Sequence, residues 1–97
     1  MQERILCAAI WFDNGKSYPQ QPVSTGIVLC GYRHYIILNQ IYEIIGIIYK
    51  STYKSKQGFL TSTGRFVDRI EAKQIAKAAN QLVREYGDAE LYSEDLY

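Results

Sequence analysis

The stretch Arg33-His34-Tyr35-Ile36-Ile37-Leu38-Asn39-Gln40-Ile41-Tyr42-Glu43-Ile44-Ile45-Gly46-Ile47-Ile48-Tyr49-Lys50-Ser51-Thr52-Tyr53 decides the fold. Seven isoleucines between positions 36 and 48 favour a strand by propensity. Their spacing says otherwise. Ile37, Ile41, Ile44, Ile45 and Ile48 fall at i, i+4, i+7, i+8 and i+11, one face of a helix. Tyr35, Leu38, Tyr42 and Tyr49 make a second apolar stripe beside the first. Length favours a helix over Arg33 to Tyr53. Together the stripes cover more than half its circumference, more than one small sheet can bury. The surplus points to a subunit interface.

On the N-terminal side, Ile5 to Phe12 is continuous and apolar and stops at Asp13-Asn14-Gly15, which reads as a buried strand. Pro19 and Pro22 make Lys16 to Pro22 a loop. Thr25 to Tyr32, rich in β-branched residues, reads as a second strand antiparallel to the first. On the C-terminal side, Lys54 to Gln57 is a polar connection, Gly58 to Thr61 a short strand and Thr63-Gly64 a turn. Asp68-Arg69-Ile70-Glu71 has the form of a capping box, with Glu71 reaching back. It opens a helix to about Tyr86, with Ala72, Ile75, Ala76, Ala79, Val83 and Tyr86 on its buried stripe and Gly87 as its stop. Leu91 to Tyr97 is an edge strand or a docked tail. The expectation is a single α+β domain over residues 1–97: an antiparallel sheet with two helices on one face, oligomeric.

Ninety-seven residues hold one core, and a chain this short is marginal alone. A net charge of +1 gives no field to recruit DNA. No apolar run is long enough for a transmembrane helix. No leader is expected at the N-terminus, so Cys7 and Cys30 read as reduced core residues of a cytosolic protein. One histidine and two cysteines build no zinc site without carboxylates. No metal, cofactor or catalytic residue is expected.

Charge is uneven along the chain. Arg33 to Lys77 carries eight Lys or Arg against three acids, and the residues after Gly87 carry four acids and no base. Two segments concentrate chemistry. In Gly58 to Arg69, the hydroxyls of Thr61 and Ser62, a glycine turn, Arg65 and Arg69 surround a helix N-terminus, whose free N–H groups suit a phosphate. Arg69 opposes the helix dipole, which calls for an anionic partner, and Arg65 is close enough in sequence to fork onto the same phosphate. The competing reading pairs Asp68 with Arg65 or Arg69. In Tyr32-Arg33-His34-Tyr35, Arg33 offers a fork for phosphate and the rings offer flat surfaces for a base. Asn39 and Tyr42, on the helix after Arg33, are placed to touch a base or ribose.

The segments Ile5 to Ile10, Cys30-Gly31-Tyr32-Arg33-His34, Gly58 to Ala72 and Leu91 to Tyr97 resemble the first-described sponge family of phage Thoeris anti-defence proteins. That resemblance implies a binding protein in the host cytoplasm that captures a cyclic ADP-ribose isomer (glycocyclic ADP-ribose) without cleaving it. It implies pockets shared between two subunits, dimers assembling into hexamers and, in some members, a separate site for cyclic trinucleotides. The family's paired arginines correspond to Arg65 and Arg69, and its Arg-His turn to Arg33. Two further classes stay open. One is a phosphodiesterase-like enzyme using His34, and the other an oligomeric adaptor whose basic patch binds a protein.

Overall fold

The computed structural model describes residues 2–13, 15–45, 54–84 and 89–97, with backbone alone for 41–45 and 54. Strand β1, Ile5–Asp13, is central. Strand β2, Ile27–Gly31, flanks it on one side. On the other lie β3, Lys54–Thr61, and then β4, Phe66–Asp68. The order is β2-β1-β3-β4 and every pairing is antiparallel. Helix α1, His34–Ile45, links β2 to β3, and helix α2, Arg69–Ala78, follows β4 directly. The α+β class, the antiparallel sheet and the two helices are as expected.

Alternation along the strands explains the layering. Ala8, Ile10, Phe12, Phe59 and Val67 point to one face, where they pack with Ile37 of α1, Ala72 and Ala76 of α2, and Leu91. Both helices therefore cover the same side. Gly31 permits the close approach of α1, since a Cβ there would lie 2.8 Å from Ile37 Cγ1. The other face carries Cys7, Ala9, Trp11, Val28, Cys30, Leu60 and Phe66. Its centre is closed by Phe66, whose ring covers Gly58 and meets Trp11 edge-on at 6.1 Å. Trp11 Nε1 donates to Thr25 O at 2.7 Å and ties the β1–β2 loop to this face.

Four expectations need correction, and one strand was not anticipated. Cys30, expected as a core residue, is exposed, because it lies on the sheet face away from the helices. Lys54 to Gln57 is strand, because β1 is nine residues long and its backbone from Ile10 to Asp13 pairs with these polar residues. Phe66–Asp68 is a strand, too short for any periodicity to reveal, and it is returned by the Thr61-to-Arg65 turn with Gly64 at φ +82°. Helix α2 ends at Ala78, not near Tyr86. Asn80 adopts φ +57°, and the amides of Ala79, Asn80 and Gln81 close onto Ile75, Lys77 and Ala76. Val83 is consequently off the helix and 64% exposed. Finally, Asp68 does accept from the Glu71 amide at 2.8 Å, but the Glu71 carboxylate turns to Arg65 instead of reaching back.

Residues Gly46 to Tyr53, Tyr86 and Gly87 lie outside the described residues. The C-terminal segment is a docked tail. Leu91 is fully buried, its amide donates to Arg69 O at 2.9 Å, and Ser93–Asp95 forms a 3-10 turn.

Candidate functional site

The β3–β4 turn, read in sequence as a phosphate cradle, is filled by the chain itself. Thr61 Oγ1 donates to Glu3 Oε2 at 2.6 Å, and Thr63 Oγ1 donates to the same oxygen. Arg65 grips Glu3 with Nε at 2.9 Å and Nη2 at 2.7 Å, and its Nη2 also lies 3.0 Å from Glu71 Oε2. These contacts hold the Glu3 carboxyl down at about 2 and raise the Arg65 guanidinium still higher. Ser62 is paired with Arg4 through Oγ and through its amide. A carboxylate therefore already sits where an anion was expected.

Arg69 is placed differently. Strand β4 separates it from Arg65 by four residues of mostly extended chain, roughly 13 Å at about 3.3 Å per residue. The two arginines have different partners: Glu3 and Glu71 hold Arg65, whereas Gln57 and Tyr92 hold Arg69. Arg69 begins α2 and lays its guanidinium over the Tyr92 ring, 4.9 Å from the centroid. One amino group donates to Gln57 Oε1, while Nε is buried with no hydrogen-bond partner among the described residues. A buried donor left unpaired costs about 1–3 kcal/mol. Beside it opens a cleft of about 230 Å³ lined by Lys56, Gln57, Asp68, Arg69, Ile70 and Glu90. Asp68 turns its carboxylate to the Glu71 amide as the cap of α2, while Arg65 is taken by Glu3 and Glu71 and Arg69 by Gln57 and Tyr92.

His34 opens α1 and turns inward. Its Nε2 lies 2.7 Å from Gly58 O, and its ring meets Phe59 edge-on at 5.1 Å. A carbonyl only accepts, so Nε2 carries the proton. Burial lowers the imidazole pKa. The Arg69 charge pushes the same way, against the Gly58 bond and Glu94. Neutral and buried, His34 is committed to holding α1 against β3.

Arg33 forms a second cationic element at the end of β2. Its guanidinium stands 4.7 Å from the Tyr32 ring centroid and 5.0 Å from that of Tyr97. Nη2 donates to the Tyr97 backbone oxygen at 2.5 Å, and Nη1 is buried without a hydrogen-bond partner among the described residues. The Tyr97 hydroxyl donates to Tyr32 O at 2.9 Å, which closes the tail over the strand end. Asn39 is exposed on α1, and the Tyr42 side chain lies outside the described residues.

Sequence reasoning missed Gln57, read as connection, and the platforms Tyr92 and Tyr97. The aromatic, acidic ending was the only signal for the latter two. No group of three or more His, Cys, Asp or Glu side chains among the described residues is placed to hold a metal. No described helix is long and apolar enough to cross a membrane.

The fold and site define a small α+β protein with two arginines stacked on tyrosines, each carrying a buried nitrogen without a hydrogen-bond partner among the described residues. The chain belongs to the phage T4 y16D protein family, whose model matches residues 4–97. No curated protein and no solved structure matches it.

Proposed function

We propose that this phage protein is a sponge. It binds an anionic cyclic nucleotide of the cyclic ADP-ribose type in the host cytoplasm and holds it uncleaved. The observation that carries the reading is Arg69. A guanidinium braced on Tyr92 and Gln57 lines the cleft, and among the described residues no carboxylate is paired with it, which leaves it suited to an outside anion. Lys56 adds a second cation to the same cleft, and Glu90 adds an acceptor suited to ribose hydroxyls. Arg33, with its own unpartnered Nη1, is the second phosphate contact, contributed across a subunit boundary. The resemblance to the Thoeris anti-defence sponges supplies the ligand class and an assembly of dimers into hexamers, with cyclic trinucleotides as a further ligand at a separate site.

The commitment of His34 to Gly58 O favours holding over chemistry. An acid–base catalyst needs an imidazole facing its substrate with a pKa near the working pH. Incubation with glycocyclic ADP-ribose, followed by removal of free ligand, heating and chromatography, tests the reading. Intact ligand in stoichiometric amount is the expected result. Altered ligand indicates an enzyme, and no capture indicates an adaptor. Light scattering at micromolar concentration should report an assembly larger than 11.2 kDa.

A further inference from the structure

Leu91 fixes the direction of its neighbours. Its side chain is fully buried, and its amide donates to Arg69 O at 2.9 Å. Side chains alternate along extended chain, and Tyr92 is extended at φ −116° and ψ 150°. With Leu91 turned into the core, Glu90 and Tyr92 are left on the outer side, next to the first residue of α2. The Tyr92 hydroxyl donates to Glu90 Oε2 at 3.3 Å, so the two share that side.

The Tyr92 ring thus has two charged neighbours. The Arg69 guanidinium stands over its face, 4.9 Å from the centroid, and the Glu90 carboxylate is held at its hydroxyl. Among the described residues no ion pair joins these two charges. Both line the cleft of about 230 Å³, whose other carboxylate, Asp68, accepts from the Glu71 amide as the cap of α2. Glu90 is exposed, and among the described residues its hydrogen-bond partner is the Tyr92 hydroxyl alone. A carboxylate offers about four acceptor positions, so most of that capacity is left for a ligand.

A ligand that fills this cleft meets a cation at Arg69 and an open acceptor at Glu90. It needs an anion for the first and hydrogen-bond donors for the second. Sites for drug-sized ligands run to roughly 300–1,000 Å³. About 230 Å³ therefore admits one sugar–phosphate unit and not a whole dinucleotide. A ribose 5′-phosphate unit satisfies both ends, with its phosphate toward Arg69 and its vicinal diol toward Glu90. An ammonium in place of the diol would suit Glu90 but would be repelled by Lys56 and Arg69 in the same cleft. We propose that Glu90 is the specificity-determining residue of this cleft, accepting hydrogen bonds from the 2′- and 3′-hydroxyls of a ribose whose 5′-phosphate sits on Arg69. Glu90 takes this role only if Arg69 is the anion site of the proposed sponge.

This arrangement discriminates between sugars. A ribose that lacks the 2′-hydroxyl leaves Glu90 one donor short, and a 2′-phosphate sets a second negative charge against it. Tyr92 is a positioning residue with two separable parts. Its ring supports Arg69, and its hydroxyl holds Glu90. A hydrogen bond to a charged acceptor gives a preference of about tenfold at the low end of its range, the end that suits an exposed carboxylate.

Titration of the protein with AMP, 2′-deoxy-AMP and inorganic phosphate, followed through backbone amide and arginine Nε–H resonances by NMR, tests the assignment. Glycocyclic ADP-ribose is titrated in parallel. AMP should shift Arg69, Leu91 and Tyr92 and bind about tenfold tighter than 2′-deoxy-AMP. Glu90→Ala, at an exposed position, should erase that preference. Binding of 2′-deoxy-AMP should then stay the same or tighten, because a negative charge is gone. Tyr92→Phe should narrow the preference while phosphate still shifts Arg69. Equal affinity for the two nucleotides, or a preference that survives Glu90→Ala, overturns the assignment even where glycocyclic ADP-ribose is captured. If AMP, phosphate and glycocyclic ADP-ribose all leave the Arg69 resonances unmoved, the anion site falls with it.

Discussion

Arg65 and Glu3 form a two-point pair, Nε to Oε2 at 2.9 Å and Nη2 to Oε1 at 2.7 Å, across sixty-two positions of sequence. The start of the chain is thereby clasped to the β3–β4 turn. Thr61 and Thr63 complete the clasp. The pair makes stability depend on acid. The folded carboxyl is held at about 2, below its unfolded value of about 4.3. Between those values the unfolded chain binds more protons, so stability rises with pH. The clasp contributes fully above about pH 4.5 and is lost as pH falls toward 2. Thermal melts from pH 7 to 2 should show a falling Tm in that window, and Glu3→Gln should flatten the fall. An equal fall in the variant would assign acid sensitivity to other groups.

His34 gives a second pH signature, and it is the only histidine. Its folded pKa is lowered, so the unfolded chain binds more protons between the folded value and about 6.5. Its contribution to stability is present above about 6.5 and lost as pH falls through the folded value. One imidazole resonance should titrate below 6.5 by NMR, with the Nε2–H tautomer above its midpoint. A midpoint at or above 6.5 would mean that burial does not outweigh the Gly58 bond and Glu94, which favour the protonated ring.

Gly58 sits where the sheet leaves no room for a side chain. A Cβ there would lie 2.2 Å from Val67 O and 2.8 Å from Phe66 Cζ. The first neighbour is backbone and cannot rotate aside. Gly58→Ala should therefore cost at least the upper end of overpacking penalties, about 3 kcal/mol. In a chain of this size that lowers Tm by more than about 10 °C. Melts followed by circular dichroism measure it. Gly64→Ala is the control at an open turn, where nothing lies within 4 Å of the added Cβ and only the φ of +82° is penalised.

The class of fold was legible because the strongest patterns were long. The apolar run of β1 was uninterrupted and ended at turn residues, and the isoleucine spacing of α1 filled a window wide enough to show the helical period. The Asp68 cap was legible because its partner is three residues away. What failed was set by distant chain. Lys54 to Gln57 became strand through pairing with β1, and α2 stopped at Asn80 through a backbone turn that Gly87 had been expected to supply. The site divided along the same line. Arg65 and Arg69 were both visible as cations near a helix start, but the Glu3 contact with Arg65 is sixty-two positions long. Tyr92 meets Arg69 only because Leu91 docks the tail in the core.

That division yields the sharpest functional prediction. Arg69 has a buried unpartnered Nε, whereas Arg65 is held by two carboxylates. The two should therefore separate in calorimetry with glycocyclic ADP-ribose. A charge-assisted hydrogen bond is worth about 1.5–3 kcal/mol, so Arg69→Ala should weaken binding about 10- to 150-fold. Arg69→Lys should recover little of it, because an ammonium keeps the charge but loses the planar fork that spans Tyr92 and Gln57. Arg65→Ala should lower Tm and leave binding within a few-fold. Circular dichroism and light scattering on each variant separate lost folding or assembly from lost contact. If Arg65→Ala abolishes capture while fold and assembly persist, the ligand displaces Glu3 and the anion site is the β3–β4 turn. If Arg69→Ala binds like the unmodified protein, the cleft beside Tyr92 is not the site.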